Sequence, residues 1–329
     1  MCLVVLAGCG SSSGAGSTKT ASVLPRQTAA DSGGAAPAVG DLAAAERPRA
    51  SEFPPAGGRT LVQLARLVNQ TATLGPANHV FTPGVQRLAF AVLDKAQRNV
   101  YAPTAVYLAS SPTSPARGPY LAPDDPLGVE RRYSSGQDPD ALKAIYSADI
   151  PLARSGIFYV LALTRAGNRL IGSTDEVAVA LNTPIPTPAQ RPPDIATDTL
   201  ASVHGKLSLL TTRVPPENMH ATSLNQVLGK RPIALLFSTP ALCTSRVCGP
   251  VTDIMVQLQH QFAGRITFIH EEVYVANDPS RGLRPQLLAF HLKSEPWLFT
   301  INRRGVIAAR LEGAFGLSEA RRALEAALR

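Results

Sequence analysis

The sequence predicts a multidomain protein, an all-β sandwich followed by an α/β domain. Three observations carry this. Between residues 80 and 182, short β-runs succeed one another with no helical period between them, the pattern of a sandwich. Residues 183–194 hold five prolines in twelve, which favours extended polyproline backbone and marks a boundary. Beyond it, buried-strand runs alternate with helical faces, as in layered α/β folds. A length of 329 residues fits about two domains of ~150 residues.

The chain opens Met-Cys-Leu-Val-Val-Leu-Ala-Gly-Cys, followed by Gly-Ser-Ser-Ser. An apolar run ending in small residues before Cys9 resembles a bacterial lipobox. The resemblance implies a signal peptide over 1–9 and a lipid on Cys9. It implies a protein held at the extracytoplasmic face of the cell membrane, where disulfides persist. Residues 10–58 are rich in Ala, Gly, Ser, Pro and Thr. They are expected to be a disordered tether, having too little apolar surface to offset ordering entropy. Thr60–Val68 is compatible with a short helix opening the domain at 59–182.

Within that domain the strand runs are Val85 to Val92, Val100-Tyr101, Ala105 to Leu108, Ala144 to Tyr146, Gly156 to Leu163 and Val177 to Leu181. A Pro/Ser/Gly stretch over 110–140 reads as a long connection. The order of strands resembles immunoglobulin-like or fibronectin type III-like modules of surface proteins. No Cys or Trp marks an antibody-type domain. The linker is expected over 183–198.

The last domain, 199–329, reads helix (222–228), strand (233–237), helix (253–262), strand (266–269), helix (287–292), strands (297–301 and 306–309) and helix (318–328). Cys243 and Cys248 follow its first strand, and Ser294-Glu295-Pro296 precedes a later one. This order is similar to the thioredoxin-like fold. The run Pro-Trp-Leu-Phe-Thr-Ile-Asn-Arg-Arg-Gly at 296–305 resembles membrane-anchored thioredoxin-like reductases. The resemblance implies a redox pair Cys243/Cys248 facing a cis-proline at Pro296, and thiol–disulfide exchange with thiols or disulfides of exported proteins. Four residues separate the cysteines where thioredoxins have two. Cys-Thr-x-x-x-Cys-Gly also resembles Q-type peroxiredoxins, but Pro240 stands where those enzymes need a Thr.

In a continuous α-helix, positions i and i+5 lie about 7.5 Å apart along the axis and face different ways, too far for a disulfide. Cys243 is therefore expected outside the helix if the two bond. A helix beginning near Gly249-Pro250 would put Cys248 at the positive end of its dipole and lower its thiol pKa, whereas the resemblance, which puts the attacking thiol first after the strand, implies Cys243; the two readings stay open. Two other readings remain: an inert structural disulfide in a noncatalytic binding module, and delivery of copper or another metal through the two thiols plus His270, His291 or His220.

Net charge is +8. The basic pairs Arg131-Arg132, Arg303-Arg304 and Arg321-Arg322 form no stripe and do not interleave with aromatics, so nucleic acid is not an expected partner. No Gly-rich phosphate loop, Gly-x-Ser-x-Gly or His-Glu-x-x-His occurs, and no cofactor is expected.

Overall fold

The computed structural model describes residues 39–136 and 142–329. Cys9 and the first part of the expected tether lie outside the described residues. The first half of the chain runs β1 (Val39–Gly40), α1 (Leu42–Ala45), α2 (Leu61–Ala65), β2 (Gln70–Thr71), β3 (Thr73–Pro76), β4 (Gly84–Leu93), β5 (Val100–Tyr101), β6 (Thr104–Ala109), β7 (Arg117–Leu121), β8 (Asp124–Pro126), β9 (Ala144–Leu152), β10 (Gly156–Ala166) and β11 (Arg169–Val179). A five-stranded sheet has the order β2-β11-β10-β6-β7 and a four-stranded sheet the order β3-β4-β9-β8. Leu88, Phe90 and Val92 of β4 share one buried cluster with Val106 and Leu108 of β6 and Phe158 and Val160 of β10. The two sheets thus bury their facing sides against each other, which alternation at period two permits.

The imperfect alternation of β4 has a physical reason: both of its faces are covered. Ala89 and Ala91 point away from the sandwich core and join the core of the second half of the chain. Strand β6 is likewise buried on both faces, with Ala105, Tyr107 and Ala109 under Phe53, Leu61 and Leu64.

Residues 39–58 are not a free tether. Ala45 joins the sandwich core, Phe53 packs beneath β6, and Arg165 donates to the Glu52 carbonyl at 2.7 and 3.0 Å. The few apolar residues of a polar segment suffice because the sheet face already offers an apolar floor. Helix α2 opens on a capping box, Thr60 with Gln63, which satisfies its first backbone donors. The stretch 110–140 is not one loop either, since β7 and β8 lie in it as edge strands.

The second half runs α3 (Leu224–Val227), β12 (Ile233–Phe237), α4 (Cys248–Gln261), β13 (Thr267–Glu271), α5 (Pro285–Ala289), β14 (Trp297–Ile301), β15 (Ile307–Glu312) and α6 (Leu317–Ala327). Its sheet has the order β13-β12-β14-β15. Strands β12 and β13 are parallel, and β14 and β15 are antiparallel to their neighbours. Ala234 and Leu236 of β12 face α4 and α6. Ile233, Leu235 and Phe237 face the opposite cluster of Trp297, Phe299, Phe290 and Leu287. A continuous apolar run is what a strand buried on both faces requires.

The proline-rich segment does not hang free between the halves. Ala189 N–H donates to the Ile307 carbonyl at 2.9 Å, and Ile307 N–H donates to the Gln190 carbonyl at 2.8 Å. Arg310 Nη1 donates to the carbonyls of Ile185 and Pro186 at 3.1 and 3.2 Å. Ile185 itself is buried. An apolar residue between prolines anchors the segment along the edge strand β15, whose unpaired groups it covers. Among the described residues no helix is long and apolar enough to cross a membrane.

Candidate functional site

Strand β12 ends at Phe237 and the chain turns through 238–247 before α4 begins at Cys248. Cys243 sits in that turn, its N–H bonded to the Thr239 carbonyl at 3.1 Å. Arg246 takes a left-handed backbone, φ 59°, which turns the chain back into the helix. Cys248 is the first residue of α4 and Pro250 stands in its first turn, where a missing N–H leaves no bond unmade. Cys243 therefore lies outside the helix.

Both cysteines carry free thiols, Cys243 half-buried and Cys248 fully buried. The neighbouring Cys248 thiol, more than any other influence, pulls the Cys243 thiol down to about 6. Ser245 Oγ, 3.2 Å from Cys243 Sγ, adds to it. Burial pushes the Cys248 thiol up, and the neighbouring Cys243 raises it further. This reverses the dipole expectation. The helix N-terminus favours a thiolate at Cys248, but complete burial outweighs that favour. Of the two thiols, Cys243 is the one pulled toward the thiolate and the more exposed.

The Glu295–Pro296 peptide bond is cis, and Pro296 is buried immediately before β14. Its carbonyl accepts from Gly313 N–H at 2.8 Å. One carboxylate oxygen of Glu295 lies within 4.8 Å of both cysteine sulfurs, so the Pro296 turn and the Cys243/Cys248 loop come together. Glu295 Oε2 is buried with no hydrogen-bond partner. Burial, then the charges of Cys243 and Glu272, push its carboxyl up to about 9. Glu295 is not a site candidate by sequence. Its only signal is an acidic residue directly before the proline of a buried strand.

Beneath the loop lies a polar network. Thr252 Oγ1 donates to the Cys248 carbonyl at 2.7 Å and shares a 2.8 Å bond with Ser238 Oγ. Ser238 Oγ lies 2.9 Å from His270 Nε2, and His270 Nδ1 lies 2.6 Å from Glu217 Oε1. His220 Nε2 reaches the same oxygen at 2.6 Å. Burial alone raises the Glu217 carboxyl, but the charge of His270 and bonds from both imidazoles hold it well below the usual range. Burial lowers His270, and Glu217 more than reverses this, lifting it to about 9. His220 and His270 thus serve an internal ion-pair cluster, and His291 is exposed beyond α5. Among the described residues, no His joins the two cysteines in a donor group.

A cleft of about 740 Å³ opens beside Cys243. The α/β domain lines it with Pro240, Arg246 and Pro250, and the sandwich with Leu127, Val129 and Lys143.

No protein-family model and no curated protein matches this chain. Among solved structures, it is similar to a thiol:disulfide interchange protein of the thioredoxin family from Chlorobium tepidum TLS. That similarity has 18% identity over 44% of this chain and 97% of the other, at a TM-score of 0.30. The strand order β13-β12-β14-β15, with Cys243 in the turn after β12, Cys248 opening α4 and a cis-proline before β14, is a thioredoxin-like arrangement of elements.

Proposed function

We propose that the protein is a thiol–disulfide oxidoreductase of the extracytoplasmic membrane face, tethered by a lipid on Cys9 and acting on exported proteins. One observation carries the chemistry: a half-buried Cys243 and a fully buried Cys248 hold their sulfurs within 4.8 Å of each other, beside the cis-proline Pro296. The Cys243 thiolate attacks a substrate disulfide; one S–S bond breaks, a mixed disulfide forms, and the departing sulfur takes up a proton. Cys248 then loses its proton and attacks Cys243 Sγ. This releases the second substrate thiol and leaves a Cys243–Cys248 disulfide. The substrate is reduced by two electrons and the pair oxidised by two; an oxidising partner drives the same steps in reverse.

The strand orders β3-β4-β9-β8 and β2-β11-β10-β6-β7 support an immunoglobulin-like reading of the sandwich. In this reading it walls the substrate cleft. The test is turnover of a protein disulfide by the reduced chain. The parent is expected to reduce it. C243S is expected to form no mixed disulfide, and C248S to trap one.

A further inference from the structure

The Cys243/Cys248/Glu295 cluster has a second capacity. One donor atom from each side chain lies within 4.8 Å of the other two. In a tetrahedral zinc site, Zn–S of about 2.3 Å and Zn–O of about 2.1 Å set donor–donor edges of roughly 3.5–3.8 Å. The three donors thus need to approach by only about 1 Å, within the reach of small side-chain rotations. Glu295 Oε2 is buried without a partner, a costly state for a polar oxygen that a cation relieves. The other buried donor group, Glu217, His220 and His270, differs: both imidazoles already bond one carboxylate oxygen at 2.6 Å.

We propose that the reduced protein binds one thiophilic divalent cation of the zinc class through Cys243 Sγ, Cys248 Sγ and the Glu295 carboxylate. Three protein donors leave a coordination position open. Binding moves no electrons. It displaces the two thiol protons, and the carboxyl proton where present, in exchange for three metal–ligand bonds. Oxidation to the disulfide removes both thiolate donors, so cation binding and the oxidised state exclude each other. A bound cation would hold the dithiol out of exchange. The inference needs only the dithiol and Glu295, and does not rest on the exchange reaction itself.

The test uses the full chain with Cys2 and Cys9 replaced by Ser, reduced and freed of reductant under anaerobic conditions. It is titrated with Co²⁺, read by thiolate-to-cobalt charge-transfer absorption, and with Zn²⁺ against a chromophoric chelator. The expected result is one equivalent bound, with Zn²⁺ protecting Cys243 from alkylation. E295Q is expected to weaken Zn²⁺ binding by about tenfold or more, and C243S to abolish the cobalt band. Parent protein that binds less than one equivalent overturns the proposal, whatever the variants do. So does E295Q that binds Zn²⁺ as tightly as the parent. Exchange is assayed separately in excess chelator. One equivalent bound by a chain inactive in exchange would support this site while removing the exchange reading.

Discussion

Arg87 of β4 and Glu319 of α6 form a buried two-pronged ion pair, both contacts 2.7 Å long, that crosses from the sandwich to the thioredoxin-like domain. Arg87 also donates to the carbonyls of Glu312 and Ala314 at 2.9 and 2.5 Å. Asp125 accepts from the N–H groups of Ser318 and Glu319 at the start of α6. With Ala89 and Ala91 packed into the neighbouring core, these contacts join the two halves into one body. Removing one partner of a buried pair strands the other charge and costs about 3–5 kcal/mol. Arg87→Ala is expected to lose stability on that scale in urea unfolding. Arg87→Met with Glu319→Met is expected to recover most of it. Equal losses in the single and double variants would count against the pair as the joint.

Gly313 supplies a second contact between the halves. Its φ is +72°, and a Cβ placed there would lie 1.6 Å from the Ala77 carbonyl oxygen. Left-handed backbone costs an L-residue about 1–2 kcal/mol, and the collision with backbone cannot be relieved by a rotamer. Gly313→Ala is expected to lower the melting temperature by several degrees. Because Gly313 also bonds the Pro296 carbonyl, it should slow exchange at Cys243 too. An unchanged melting temperature would show that the halves do not meet at Ala77.

Cys243 is half-buried and Cys248 fully buried. With Cys2 and Cys9 replaced by Ser, one equivalent of iodoacetamide is expected to label Cys243 at least tenfold faster than Cys248, read by peptide mass. Preferential labelling of Cys248 would reverse the assignment of nucleophile and resolving thiol.

The buried His270 and Glu217 set a pH dependence of stability. His270 is raised to about 9, so its contribution is complete below its unfolded value near 6.5 and is lost as pH rises through 9. Glu217 is depressed, so its contribution is present above its unfolded value near 4.5 and is lost as pH falls. Burial raises Glu271 to about 8 and Asp124 to about 7, and ionising these acids also favours unfolding as pH rises. The urea midpoint is expected to be highest near pH 5 and to fall toward pH 9. His270→Gln should flatten the part of the curve above pH 6.5. An unaltered slope would exclude the ion pair as its source.

The sandwich wall of the cleft predicts a substrate effect separable from reactivity. Val129→Asp is expected to slow exchange with a protein disulfide several-fold while leaving the reaction of Cys243 with a small aromatic disulfide unchanged. Equal slowing of both would place the effect on the thiol rather than on docking.

Much of the thioredoxin-like half was legible in the sequence because its strands are buried on both faces. Ile233–Phe237 is a continuous apolar run and Trp297–Ile301 is broken only by Thr300, and they are β12 and β14 residue for residue. The amphipathic face of α4 is legible only from Asp253, and Pro250 alone signals the first turn that Cys248 opens. In the sandwich, β7 and β8 hid among prolines that edge strands tolerate. The packing of residues 39–58 rests on isolated anchors such as Ala45 and Phe53, which composition averages away. The cysteine pair and Pro296 were legible by order. Glu295 and the reversal of thiol acidity were not, because both depend on burial, which spacing does not encode.

The central claim is that Cys243 and Cys248 form an exchanging pair. It is tested most directly by the pair's reduction potential, measured in redox buffers by alkylation mass shift. The account predicts a value between about −270 and −120 mV, the range of exchange catalysts. A value below about −300 mV, the range of structural disulfides, or failure of the pair to form a disulfide, would contradict it.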